Sequence, residues 1–182
     1  MRQLQENALI EKALQGDLEA FEMLVKKYQS SLVALAWNIL GDPDDAHDAA
    51  QETFLQAYTN LERFDREKNF KTWIFSIAAK RSIDRLRKQK SFLKYFNKTI
   101  KEKEQNPNPR VTQKNEKIED SEIFSPLLEK LKNKERIAIS LKINENYSAK
   151  EIGAVLDCSE STARVHLFNA RKKLKKELEV NK

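Results

Sequence analysis

From Leu9 to Leu40 apolar side chains return every three or four residues, as in Ala20, Leu24, Tyr28, Leu32 and Leu35, which gathers them on one face of a helix. Gly16-Asp17 interrupts the pattern and Gly41-Asp42-Pro43 ends it, so the spacing predicts two helices. A third is predicted from about Asp44, a favoured N-cap followed by acids that suit a helix start, through Phe54 and Leu55 to Leu61. A fourth starts near Phe70 and runs to about Lys90.

Between roughly Ser91 and Ser125 the periodicity fades into a polar stretch. It contains Asn106-Pro107-Asn108-Pro109, which forbids a continuous helix there and reads as a linker. Helical spacing resumes over Leu127 to Leu141. Ser148-Ala149-Lys150-Glu151 then has capping-box form, in which hydroxyl and carboxylate each satisfy a free amide at a helix start. The short helix it opens turns Ile152, Val155 and Leu156 inward, and Asp157-Cys158-Ser159 makes a tight turn into a last helix. There Ala163, Leu167, Ala170, Leu174 and Leu178 form one buried stripe.

This pair reads as a helix-turn-helix. Its outer face carries Ser161, Thr162, Arg164, Val165, Phe168 and Asn169, where such motifs meet base edges in the major groove. Arg171, Lys172, Lys173, Lys175 and Lys176 follow, suited to phosphate. The pattern therefore predicts an all-α chain: two small helical domains, residues 8–90 and 126–180, joined by a flexible linker over 91–125.

Charge sharpens the picture. From Met1 to Glu62 eleven acids face four bases, whereas from Lys80 to Lys103 ten bases face two acids. The first module thus has an acidic and a basic surface, and the chain as a whole is basic at +6, which points to nucleic acid. With three glycines, a glycine-rich phosphate cradle cannot be assembled. A single cysteine, Cys158, excludes an internal disulfide and a multi-cysteine metal site. The longest apolar run, near Leu32 to Leu40, falls far short of the roughly 20 residues a spanning helix needs, and no segment resembles a signal peptide. No membrane insertion, cofactor or metal is expected.

Three blocks in this order resemble the extracytoplasmic-function (ECF) group of the sigma-70 family of bacterial RNA polymerase sigma factors. Residues 13–21, Leu40-Gly41-Asp42-Pro43 and 45–54 are similar to region 2's opening helices and polymerase-binding segment. Phe70-Lys71-Thr72-Trp73-Ile74-Phe75-Ser76-Ile77-Ala78 through Asp84-Arg85-Leu86-Arg87 resembles its promoter-melting part, and the helix-turn-helix resembles region 4. The resemblance implies a transcription initiation factor without covalent chemistry. Asp45, Asp48, Gln51 and Glu52 would dock on the clamp coiled coil of the polymerase beta-prime subunit, and region 4 would meet the beta flap. Asp45, Asp48 and Glu52 share one helical face, an acidic stripe that a basic partner would recognise.

For the minus-ten element, Phe64, Phe70 and Trp73 would offer rings to unpaired bases while Lys71, Arg81, Arg85 and Lys88 follow the backbone. Most of these aromatics are nonetheless expected in the core, and Phe75, Ile77 and a face of Trp73 are expected to pack against the first helices. The loop from Asp65 to Phe70, Asn69 above all, would read a flipped base. Ser161, Thr162, Arg164, Val165, His166, Phe168, Asn169, Arg171 and Lys172 would read the minus-thirty-five element. Val165 stands where the family often has Ser, His166 and Asn169 where it has Arg, Lys132 where it has Pro and Ala79 where it has Arg. The family also implies a linker lying along the polymerase channels and an anti-sigma factor as partner.

Two other readings compete. A stand-alone repressor or activator would need only the helix-turn-helix, and leaves the acidic helix without a purpose. An enzyme would have to use His47 among Asp44, Asp45 and Asp48, with no second histidine nearby, which fits a solvated helix start better.

Overall fold

The computed structural model describes residues 2–103 and 124–180. Among them are the α-helices α1 (Arg2–Leu14), α2 (Leu18–Leu40), α3 (Pro43–Thr59), α4 (Phe70–Lys103), α5 (Phe124–Glu129), α6 (Asn133–Glu145), α7 (Ala149–Val155) and α8 (Glu160–Val180). A single 3-10 turn covers Leu61–Arg63. The all-α expectation is met, with no strand among the described residues.

The helices stop where local chemistry stops them. Asp17 accepts the Ala20 N–H at 3.1 Å to start α2, and Gly41 ends it at φ 76°, a left-handed conformation that costs glycine nothing. Asp42 then accepts the Asp45 N–H at 2.8 Å, with Pro43 at the first position of α3, where a missing N–H is harmless. Ser148 and Glu151 form the predicted capping box at α7.

Two boundaries differ from the sequence expectation. Helix α4 continues past Lys90 to Lys103, because fading apolar periodicity does not end a helix when neither Gly nor Pro intervenes. Residues 104–123 of the expected linker, and the path predicted for it, lie outside the described residues. The expected Leu127 to Leu141 helix is two, broken where Lys132 adopts extended backbone at ψ 152° and its N–H is taken by the Glu135 carboxylate at 3.0 Å.

The first module packs α2 against α3 and α4. Leu24, Leu32 and Ile39 of α2 and Ile74 and Phe75 of α4 have no exposed surface. Helix α3 contributes mainly alanines, Ala46, Ala49, Ala50 and Ala57, so its backbone approaches closely. In the second module Ala163 and Ala170 are sealed and Leu167 is 9% exposed. Leu178 departs from the predicted stripe, at 51% exposed, on the open rim of a groove with Ile139 and Ile143 of α6. Gly153 is obligatory: a Cβ there would lie 2.7 Å from the Cys158 carbonyl oxygen, so only glycine lets the turn close on α7.

The two modules are packed together, an arrangement the sequence pattern does not predict. Helix α2 meets α6 and α4 meets α7. Arg136, buried at 6% exposed, donates to the Ile39 carbonyl at 2.8 Å, satisfying a C-terminal carbonyl of α2 with a cation. Lys71 pairs with Glu145 at 2.7 Å and lies over the Tyr147 ring, which packs at a tilt against Phe75 with centroids 5.6 Å apart. Among the described residues, the buried side-chain polar atoms without a hydrogen-bond partner are Arg136 Nε, Ser140 Oγ and Tyr147 Oη. All belong to α6 or the short segment after it. Unsatisfied buried polar groups cost stability.

Glu135 gives the second module a pH signature. Burial opposes its charge, yet Lys173 at 2.6 Å and the Lys132 N–H outweigh it and hold the carboxyl below its ordinary pKa. A depressed carboxylate stabilises fully above its unfolded value of about 4.3 and loses that contribution as pH falls through the lower folded value. Urea melts in the acid range should therefore show Glu135→Gln with a flatter loss of stability than the parent; an unchanged slope would remove Glu135 from the account.

Candidate functional site

The acidic stripe is formed as predicted, and it is already engaged. Asp45, Asp48 and Glu52 point from successive turns of α3 toward α4. The Arg85 guanidinium lies 2.6 Å from Asp45, 2.8 Å from Asp48 and 3.4 Å from Glu52. Gln89 also donates to Asp45, and Arg81 donates to Gln56 at 2.6 Å with Glu52 at 3.9 Å. Burial works against the Arg85 charge, but its bonds to Asp45 and Asp48 raise its pKa overall, so it is a permanent cation. Arg81 and Arg85, expected on the DNA backbone, thus face the acidic helix instead. Gln51 is exposed beside them.

Farther along α3, Leu55 is 67% and Tyr58 40% exposed, the Tyr58 ring edge-on to Phe21 of α2 at 4.9 Å. Sequence reasoning missed these two. Their signal was available: an apolar pair three apart that follows Asp48 and Glu52 along the helix.

The aromatic residues also divide differently. Phe64 and Phe70 are buried at 8% and 2% exposed, with ring centroids 5.4 Å apart, which puts them among the aromatics expected in the core and leaves no ring face open in this arrangement. Half-buried Trp73 packs on both, at 4.9 and 5.5 Å. Together they form the floor under residues 65–69. Above that floor Asn69 starts α4, accepting the Thr72 N–H at 3.0 Å through Oδ1, while its side chain remains exposed. Asp65 accepts the Glu67 N–H at 3.1 Å, and Arg66 ties the loop to Glu11 of α1 at 2.6 Å. The loop is therefore a held structure with an open polar rim. Lys71 is turned to Glu145 and away from that rim, whereas Lys88 is exposed on α4.

The outer face of α8 emerges as predicted. Ser159 caps it, accepting the Thr162 N–H at 3.2 Å. Val165 and Phe168 are 55% and 65% exposed, two apolar side chains on an otherwise polar face. Ser161, Thr162, Arg164, Arg171 and Lys172 are exposed around them, Arg164 held by Glu160 at 2.6 Å. His166 and Asn169 line a crevice with Lys132, Asn133 and Lys134. Burial, then the Lys134 charge, lowers the His166 pKa, which leaves a neutral ring with one donor and one acceptor at pH 7.

Among the described residues no group of His, Cys, Asp or Glu is placed to hold a metal, and no helix is long and apolar enough to cross a membrane. His47 stands exposed on α3.

Comparison with known proteins agrees with this geometry. The sigma-70 region 2 family matches residues 24–92 and the sigma-70 region 4 family residues 122–174. The ECF sigma factor SigW of Bacillus subtilis is 30% identical, covering 93% of this chain and 94% of its own. The sigma-E factor of Haemophilus influenzae is 29% identical over 97% of both. In fold the chain is similar to CnrH, solved with the cytosolic domain of CnrY, with a TM-score of 0.73, 22% identity and coverage of 98% and 99%. It is also similar to the Bartonella quintana sigma factor RpoE, solved with the anti-sigma factor NepR, at a TM-score of 0.68, 22% identity and coverage of 89% and 98%. With acidic α3, the loop over buried aromatics and the helix-turn-helix in the family's order, the chain belongs to the ECF group of sigma-70 family RNA polymerase sigma factors.

Proposed function

We propose that this sigma factor docks on core polymerase through the outer face of α3, captures the minus-ten element with residues 65–69, and reads the minus-thirty-five element with α8. The observation that carries this reading is the paired exposure of polar and apolar groups on α3 and α8. Asp48, Gln51 and Glu52 continue into Leu55 and Tyr58 on α3, and Arg164 and Asn169 flank Val165 and Phe168 on α8. Mixed faces of this kind suit partners better than solvent. The groove between α6 and α8, lined by Ile139, Ile143, Leu174 and Leu178, offers an apolar seat for the beta flap.

The chain contributes binding and leaves nucleotide addition to the polymerase. It works in the cytoplasm, at the nucleoid when part of holoenzyme. An anti-sigma factor holds it in reserve, at the membrane where that partner is anchored; the bound partners of CnrH and RpoE support this. Promoter engagement separates the two modules, since both reading surfaces must reach their elements at once.

Run-off transcription with core polymerase tests the assignment of surfaces. Asn69→Ala should lower transcripts from a template with an intact minus-ten element and add nothing once that element is scrambled. Arg164→Ala should show the same dependence on the minus-thirty-five element, by about 1–3 kcal/mol of discrimination, or roughly 5- to 150-fold. Losses independent of either element would overturn the assignment.

A further inference from the structure

We propose that Arg85 is a positioning residue of the polymerase-docking face, and that Asp45 is its internal anchor, leaving Asp48 and Glu52 as the acids that meet the partner. The inference rests on the docking role given to α3 above. A guanidinium carries five N–H donors in one rigid plane. Here all three Arg85 nitrogens are directed at α3: Nε at Asp45 (2.6 Å), Nη2 at Asp48 (2.8 Å) and Nη1 at Glu52 (3.4 Å). One cation therefore fixes three carboxylates spread over two turns of a neighbouring helix.

The three acids are unequally available. The Asp45 side chain is 24% exposed and shared between Arg85 and Gln89, so it has little left to offer a partner. Asp48 and Glu52 are 58% and 49% exposed; Asp48 meets Arg85 through Oδ2, and Glu52 meets Arg85 through Oε1 with Oε2 only loosely near Arg81 at 3.9 Å, so both keep surface for a partner. Three carboxylates at helical spacing repel one another. Held by one fork, they keep a single geometry, and the ordering that a partner would otherwise impose is already done. A lysine at position 85 would retain the charge and lose the fork, so it could hold one acid well and not three.

The test is the affinity of the full-length protein for core polymerase with no DNA present, measured as equilibrium and dissociation rate, with a thermal melt on each variant to verify folding. Arg85→Ala should weaken binding about tenfold through faster dissociation, with Arg85→Lys between it and the parent. In a background of Asp48→Lys with Glu52→Lys, Arg85→Ala should add no further loss, which a merely structural role would not produce. If Arg85→Ala and Arg85→Lys bind core like the parent while the double reversal weakens binding, docking through α3 stands and the positioning role falls. Normal core binding by Arg85→Ala together with loss of open promoter complexes would return Arg85 to the DNA. If the double reversal itself binds normally, the docking reading fails first and this inference with it.

Discussion

Tying the two modules closed should abolish promoter-directed transcription. Elements named for positions ten and thirty-five lie about 25 base pairs apart, roughly 80 Å of duplex at about 3.4 Å per pair. Even α4, the longest helix, spans only about 50 Å at about 1.5 Å per residue, and α8 is packed back against the same body. The closed arrangement therefore cannot hold both elements, and Lys71–Glu145, Phe75–Tyr147 and Arg136 against the Ile39 carbonyl must part. Lys71→Cys with Glu145→Cys in a Cys158→Ser background, joined by a short reducible bis-maleimide, should lose promoter-specific transcript at least ~100-fold and regain it on reduction. Full transcription from the joined protein would mean that the modules work without separating. Arg136 and Tyr147, which touch the first module, each carry a buried polar atom without a partner, a cost that weighs against the closed state.

The second large effect is on stability. Phe75 has no exposed surface and contacts the rings of Tyr28 and Tyr147, one in each module. Phe75→Ala should cost about 3–5 kcal/mol in chemical denaturation, a large share of the roughly 5–15 kcal/mol a domain has. Phe168→Ala removes an equally large ring from the open face of α8 and should stay within about 0.5 kcal/mol of the parent while minus-thirty-five binding falls. Equal destabilisation by both would mean that the Phe168 face is buried in solution.

Much of this architecture is legible in the sequence because its signals are local. Gly41-Asp42-Pro43 ends one helix and starts the next, and Ser148 with Glu151 fixes a helix start within four residues. The acidic stripe and the outer face of α8 follow from helical period alone. What was not legible depends on distant packing. No periodicity distinguishes an arginine bound for phosphate from one bound for a carboxylate on another helix, so the pairing of Arg81 and Arg85 with α3 is not legible in the sequence. Phe64 and Phe70 look like stacking residues beside a basic helix until the fold closes the loop over them. Lys71 pairing with Glu145 joins residues far apart in the chain, and the module contact that brings them together merges apolar side chains of both modules into one buried cluster, a pairing of faces that no helical period specifies.

The most direct measurement is run-off transcription by purified protein and core polymerase on an ECF-type promoter library, comparing the parent with Asp48→Lys combined with Glu52→Lys. Docking through α3 requires promoter-specific transcripts from the parent and none from the double reversal, with both proteins folded. Undiminished transcripts from the reversal would contradict it, as would a parent that yields no transcript yet binds duplex DNA tightly by itself.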